Sequence, residues 1–376
     1  MIQTYSSTIR RREMEAVLTC MVDEKIGPGE MTLRLVQTAK ELMGCDGAVA
    51  VRSPAIALEY VLKAINLDKE SAVMISALAP YWLYVTLEKL GYKVMILDVQ
   101  EETSLVSVET VEEAVKNGGR LLILSETMGI LPDIRQYLAL EIPVIEEISH
   151  SALSYYPAEY EEDSDKPAAS ADSGTSAGAG QESAEASKEE PTGRRAGMYG
   201  LYAILGMEEH DIVTAGGGAL VIAPKRREWS PLKAIADQAP STDFMPDMNA
   251  ALAFVELKEF ARNEKVRKEL FTLFSRAVMS GRHKTFVRGQ ENNSTIYSFP
   301  LVLNSGFKDV KLYAQKKGIE VRQAFENSVI AFKQEELSTQ CICANSLLLR
   351  CALFPLYPRL GQKDASRIVK VLSSLP

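Results

Sequence analysis

Between Glu30 and Glu147 the chain switches repeatedly from a helical hydrophobic period to a strand-like run and back, with short connections, and this alternation restricts the fold more than any other feature. "EMTLRLVQTAKELMG" reads as a helix with Gly44 at its end, "AVAV" as a strand, "PAIALEYVLKAI" as a helix and "AVMIS" as a strand. "YWLYVTLEKLG", "VETVEEAVKNG" and "IRQYLAL" continue as helices, interleaved with the strands "KVMIL", "RLLIL" and "PVIEE". Apolar strands separated by amphipathic helices predict an α/β fold with a mainly parallel sheet covered on both faces. Ligands of such sheets sit beyond the carboxyl ends of the strands. Chemistry is therefore expected at Ser53, Ser76 to Ala79, Ser125 to Gly129 and Glu147 to His150.

The length of 376 residues exceeds one small core and suits two domains. Ten acidic residues and two lysines lie between Glu159 and Thr192, so this segment carries the equivalent of the whole formal net charge of −8. Nearly devoid of large apolar side chains, residues 160 to 192 are expected to form a disordered loop inserted into a domain. The remaining body balances its charges, which argues against nucleic acid or an anionic membrane surface as a partner. The N-terminal stretch has no apolar run of signal-sequence length, and no uncharged run approaches the roughly 18 residues that span a bilayer. A soluble, cytoplasmic protein is expected.

The five cysteines, Cys20, Cys45, Cys341, Cys343 and Cys351, contain no C-x-x-C pair. Reduced, buried thiols are expected, with Cys341 and Cys343 alternating as in a strand. Residues 248 to 279 read as one long amphipathic helix able to link two domains. The tail mixes strand patterns, "TIYSFPLVL", "SVIAF", "CICAN" and "LLLRCALF", with helices near 308–317 and 363–374, as in a smaller α/β domain. The division predicted is an arm at 1–29, a large domain at 30–262 and a small domain at 263–376.

Glu208, Glu209, His210 and Asp211 stand side by side before "TAGGGALVIA". Adjacent side chains point in different directions in a strand or a helix, so the four cannot converge on one metal, and no metal site is expected. They read as a solvated turn leading into a glycine-rich hairpin.

"GRRAGMYG" before a strand, the "TAGGGALVIA" hairpin, the strand end "VIEEISHS" and the closing "FPLYPRLGQKDASRIVKVL" together resemble the DegT/DnrJ/StrS family of sugar aminotransferases. The resemblance runs from "IGPG" at 26–29 through the last helix and implies the fold of type I pyridoxal phosphate enzymes, with a large domain and a smaller C-terminal one. It also implies a homodimer, a nucleotide sugar as substrate and a role in polysaccharide biosynthesis. In the family a lysine precedes a "TTGEGG" hairpin, and here Asp211 stands at the lysine position. A carboxylate cannot form the Schiff base that an ε-amine forms with the cofactor. Lys225, after the hairpin strand, and Lys188, in the acidic segment, are not substitutes by position.

Other implied site positions differ as well. The family's phosphate-holding "SSGTAAL" corresponds to Arg52 through Leu58, where Pro54 lacks an N–H and Ala55 a hydroxyl. Ser53 followed by Pro54 is still a sound helix start. The family's "EDAAQ" corresponds to Glu146 through His150, with Glu147 as pyridinium partner and His150 as either a hydrogen-bond donor or a satisfied core histidine. Tyr81 and Trp82 fall near the aromatic residue that stacks on the cofactor, and Met245 to Met248 replace "NYRM". Ser53, Tyr81, Glu147 and His150 are thus the degenerate equivalents of a cofactor site. Pyridoxal phosphate or pyridoxamine phosphate is expected to bind non-covalently or not at all.

Two readings follow. One is a non-catalytic binding or interaction protein on a retained fold. The other is a pyridoxamine phosphate dependent sugar-modifying enzyme, similar to the 3-dehydratases in which a histidine replaces the lysine, with His210 as base. Ordinary transamination is the third and least supported.

Overall fold

The computed structural model describes residues 1–157, 193–279, 281–289 and 293–376. The acidic segment 160–192, with Lys188, lies outside the described residues.

A seven-stranded sheet has the order β1-β7-β6-β5-β4-β2-β3. Its strands are β1 Gly47–Val51, β2 Ala72–Ser76, β3 Lys93–Leu97, β4 Gly119–Ser125, β5 Val144–Glu147, β6 Tyr202–Gly206 and β7 Ala219–Ala223. All neighbours pair in parallel except β7, which runs antiparallel to both β1 and β6. The sheet is therefore mainly parallel, and the carboxyl ends of β2, β4, β5 and β6 share one edge. Helices cover it: α1 Arg11–Val22, α2 Glu30–Met43, α3 Pro54–Ile65, α4 Tyr81–Lys89, α5 Val108–Lys116 and α6 Ile134–Leu138, followed by α7 Arg226–Asp237 and α8 Asp247–Lys258. Burial on both faces explains why β1, β5, β6 and β7 are buried along their whole length.

α3 shows how local sequence sets an element. Ser53 Oγ accepts the Ile56 N–H at 3.3 Å, Pro54 occupies the first turn, and Asn66 closes the helix in the left-handed region. The hairpin β6–β7 depends on Gly218, whose φ is +124° and where a Cβ would stand 2.4 Å from Met245 Cε.

A second, three-stranded antiparallel sheet, β8 Phe299–Val302, β10 Cys351–Phe354 and β9 Arg322–Gln323, has its own core around Phe274, Phe299, Phe354 and Ile368. The helices here are α9 Phe260–Val278, α10 Phe307–Lys316, α11 Val329–Phe332, α12 Gln334–Leu337, α13 Ile342–Arg350 and α14 Gln362–Leu372.

Three expectations are corrected. The single long helix is two, α8 and α9, with Glu259 between them at φ −90° and ψ 1°. α8 packs on α1 and α2 while α9 packs on α14, and one straight rod cannot serve both. "SVIAF" forms α11 instead of a strand, because the N–H groups of Val329 and Ile330 donate to the carbonyls of Ala79 and Ala77 in the large sheet's loop. "CICAN" and "LLLR" belong to α13, whose first amides, Cys343 and Ala344, donate to the Asp98 carboxylate at 3.0 and 2.8 Å. That cap holds the N-terminus of the helix and ends the strand reading of Cys341 and Cys343. All five cysteines are free, four buried and Cys343 half-buried. No helix among the described residues is long and apolar enough to cross a membrane.

Candidate functional site

The edge formed by the carboxyl ends of β2, β4, β5 and β6 meets the N-termini of α3 and α4, the turn before β7 and the loop 324–328, and encloses a cleft of about 260 Å³. At the end of β5 the chain bends so that the Ser149 N–H donates to Glu147 Oε1 at 3.1 Å, folding that carboxylate back beneath the turn. Glu147 is 3% exposed, and burial pushes its pKa up. Ser149 Oγ accepts the Gly206 N–H at 2.8 Å and ties β5 to β6. Below this, Glu146 accepts the amides of Gly197 and Tyr199 at 2.8 and 2.9 Å, so it anchors the segment that precedes β6.

His150 follows. Its ring lies against Tyr297 with centroids 3.8 Å apart, and its Nδ1 accepts the Met128 N–H at 3.4 Å. An accepting Nδ1 carries no proton, and burial lowers the pKa to about 4, so the imidazole is neutral at pH 7.

Beyond β6 the turn Glu208 to Asp211 closes on itself. Asp211 Oδ2 accepts the Glu208 N–H at 2.8 Å, and the Asp211 N–H donates to the Glu208 carbonyl at 3.2 Å. Glu208, Glu209 and His210 are exposed while Asp211 is half-buried. Burial first, then the charges of Glu147 and Glu208, push the Asp211 pKa up to about 7.

The N-terminal arm supplies a wall that no local pattern announces. Ile2 bridges in parallel to Ile319, and the Thr4 N–H donates to Glu320 Oε2 at 2.8 Å. The arm so held lays Tyr5 flat on His210, centroids 4.2 Å apart and 4° from parallel. Burial pushes the pKa of both the Tyr5 and the Tyr297 hydroxyl up.

Of the residues singled out from sequence, His150, His210 and Asp211 line the cleft and Ser53, Tyr81 and Glu147 do not. Ser53 is spent on capping α3, and it is Pro54 that reaches the wall. Tyr81 turns away, stacked on Phe332 at 4.2 Å, while Trp82 lines the cleft. Successive helical side chains diverge by about 100°, so one of the pair had to leave. Tyr5 and Tyr297 were missed because the sequence places them in an arm and before β8, far from either sheet-edge motif.

The electrostatics of the cleft are one-sided. Glu208, Glu209, Asp211 and Glu326 line it, and among the described residues no lysine or arginine does. Arg322 stands 5.6 Å from the Tyr5 ring but is bound to Glu326 at 2.5 Å. Arg267 donates to the Ile212 carbonyl at 3.2 Å and faces Glu264 and Glu256. At the position implied for the family's interface arginine, Asp247 is 2% exposed and accepts the N–H groups of Gly29, Met31 and Thr32 at 2.9, 3.1 and 2.9 Å, capping α2 within its own chain.

The model of the DegT/DnrJ/EryC1/StrS aminotransferase family matches residues 7–164 and 181–373. Among solved structures, a candidate sugar aminotransferase from Streptococcus pneumoniae in its PLP form superposes with a TM-score of 0.80 at 14% identity, covering 97% of this chain and 96% of that one. It is also known in a PMP form. The aminotransferase TlmJ from Streptoalloteichus hindustanus gives 0.81 at 13% identity, with 99% and 98% covered. A GDP-4-keto-6-deoxymannose-3-dehydratase, ColD, solved as a histidine-to-asparagine mutant with bound GDP-perosamine, gives 0.79 at 14%, with 99% and 100% covered. The large domain of mainly parallel sheet and the smaller C-terminal unit are thus those of fold type I aminotransferases. Family and neighbours point to pyridoxal or pyridoxamine phosphate as the group such a cleft holds.

Proposed function

The chain belongs to the DegT/DnrJ/EryC1/StrS aminotransferase family, and we propose that within it this protein is a non-catalytic, ligand-binding member whose cofactor site is degenerate. The observation that carries the proposal is Asp211, whose carboxylate closes its own turn where the family's lysine is expected. The residues present do not fit a phosphate-bearing cofactor. Pro54 withholds an amide at the α3 N-terminus, Ala55 a hydroxyl, and the cleft offers carboxylates where a dianion would need cations. Its setting, on this reading, is sugar-nucleotide or cell-surface polysaccharide metabolism in the cytoplasm.

The protein works as a homodimer. Support comes from α1, which exposes Met14, Leu18, Met21 and Val22 along one stripe, and from Leu33 of α2, which is exposed as well. An arm at 1–29, a large domain at 30–262 and a small domain at 263–376 remain our division. The separate core around Phe274 and Phe354 supports it.

A second reading has one observation in its favour: His210 lines the cleft, and one structural neighbour is a 3-dehydratase solved with a mutated histidine. In this reading His210 is the base of a pyridoxamine phosphate dependent sugar-modifying enzyme. Its stacking on Tyr5 counts against a mobile base. The test is to incubate purified protein with pyridoxal phosphate and a panel of α-amino acids, and to follow 2-oxo acid. No turnover above the cofactor alone is expected; oxo acid formed at an enzymic rate overturns the proposal.

A further inference from the structure

We propose that residues 2–8 of the N-terminal arm are a strap that seals the cleft, with Tyr5 as its plug, and that the strap lifts before the space it covers can be reached. This rests on the ligand-binding reading of that cleft and names what regulates it.

The strap is tied down at its two ends. At the first, the Ile2 N–H donates to the Gly318 carbonyl at 2.9 Å and the Glu320 N–H to the Ile2 carbonyl at 2.8 Å. The Thr4 N–H and hydroxyl add bonds to the Glu320 carboxylate and carbonyl at 2.8 and 3.2 Å. At the second, the Thr8 hydroxyl donates to Glu256 Oε1 of α8 at 2.6 Å. Ile2 and Ile319 share the smaller core around Phe274, whereas α8 packs on α1 and α2, so the strap crosses from one unit to the other. Between the anchors the backbone is loose: among the described residues the N–H groups of Tyr5, Ser6 and Ser7 donate to no acceptor. A segment fixed at both ends and free between them opens locally, at less cost than the whole fold.

The middle of the strap carries Tyr5, whose ring lies on His210 with centroids 4.2 Å apart. Tyr5 is a wall of the 260 Å³ cleft and also of an adjoining cavity of about 40 Å³, and His210, Asp211 and Tyr297 are shared by the two as well. The smaller cavity is closed on its other sides by Ser7 of the strap and by Thr214, Arg267 and Ser298, which are 4%, 6% and 4% exposed. The turn beneath the plug is exposed and closes on itself through Asp211, so it keeps its shape when Tyr5 leaves. Lifting Tyr5 therefore joins the two spaces. It also brings the Arg267 guanidinium to a cleft whose other charged walls are carboxylates, so the open and closed forms differ in what they can bind.

The experiment places a thiol in the smaller cavity and measures how fast it is reached. The purified full chain carrying Ser298→Cys is labelled with N-ethylmaleimide, and peptide mass separates that site from the native cysteines. Glu320→Ala removes the acceptor of the Thr4 N–H; Glu320 is half-buried and lines neither cavity, so it reaches the thiol only through the strap. Losing a hydrogen bond to a charged group raises the open fraction, and labelling is expected to be at least about tenfold faster. Tyr5→Ala accelerates it as well. Ile2→Cys with Ile319→Cys, set across the parallel bridge and oxidised, pins the strap and slows labelling by at least about tenfold, with recovery on reduction. Thr214→Cys, in the same cavity, is the second reporter if Ser298→Cys fails to fold. A labelling rate that ignores both Glu320→Ala and the oxidised pair overturns the strap, and so does one that follows only the global unfolding equilibrium in urea. Either result leaves the ligand-binding reading standing, because no ligand is used; oxo acid formed in the turnover test removes that reading without altering the labelling rates.

Discussion

The carboxylate of Asp211 accepts the backbone N–H of Glu208 at 2.8 Å, so the side chain at the family's lysine position is part of the turn that presents it. Its pKa lies near 7 in the fold against an ordinary value of 3.8, because burial and the charges of Glu147 and Glu208 disfavour the anion. Between those two values the folded chain holds a proton at Asp211 that the unfolded chain has released, so this residue's contribution to stability falls as pH rises from about 4 to about 7 and is constant above. Asp211→Asn, which keeps an oxygen for the Glu208 amide, should flatten that decline. Urea denaturation of both proteins across this window checks it, and identical slopes would remove the buried charge from the account.

Asp211→Lys alone should not create a firm cofactor site. Pro54 and Ala55 still withhold an amide and a hydroxyl, each worth about 1.5–3 kcal/mol against a charged group, so binding stays weaker by roughly two to four powers of ten. Adding Pro54→Gly and Ala55→Thr should recover affinity for pyridoxal phosphate, read by spectral titration. Tight binding by the single variant would mean that the phosphate cradle was never lost.

Asp247 ties the start of α2 to the start of α8 through amides of Gly29, Met31 and Thr32 and the Thr32 hydroxyl. At 2% exposure it has no water to replace them. Asp247→Ala should cost about 2–4 kcal/mol in chemical denaturation, and a loss under about 0.5 kcal/mol, the range of ordinary surface changes, would contradict the cap.

Leu18 is 54% exposed at the middle of the α1 stripe. Light scattering should report twice the chain mass for the wild type and the single mass for Leu18→Asp, with the melting curve of the variant still cooperative. A wild-type monomer at micromolar concentration would remove the interface.

What the sequence made legible followed from how local the cause was. α3 could be bounded from sequence because Ser53, Pro54 and Asn66 are its own neighbours. α13 could not, since Asp98, which caps it, lies 245 residues from Cys343 in the chain. The same holds at the cleft. His210 and Asp211 belong to a turn that the "GGG" hairpin signals, whereas Tyr5 and Tyr297 arrive through the arm bridge at Ile319 and the approach to β8. The choice between Tyr81 and Trp82 depended on the rotation at which α4 begins, which Pro80 and the Tyr81 N–H to the Asn327 carbonyl set in three dimensions.

The central claim, a retained fold without a covalent cofactor site, is tested most directly by borohydride reduction of the wild-type protein with saturating pyridoxal phosphate, followed by intact mass and peptide mapping. The account predicts an unmodified chain mass apart from scattered, substoichiometric labelling of surface lysines. One stoichiometric adduct on a single lysine, Lys225 or any other, would contradict it.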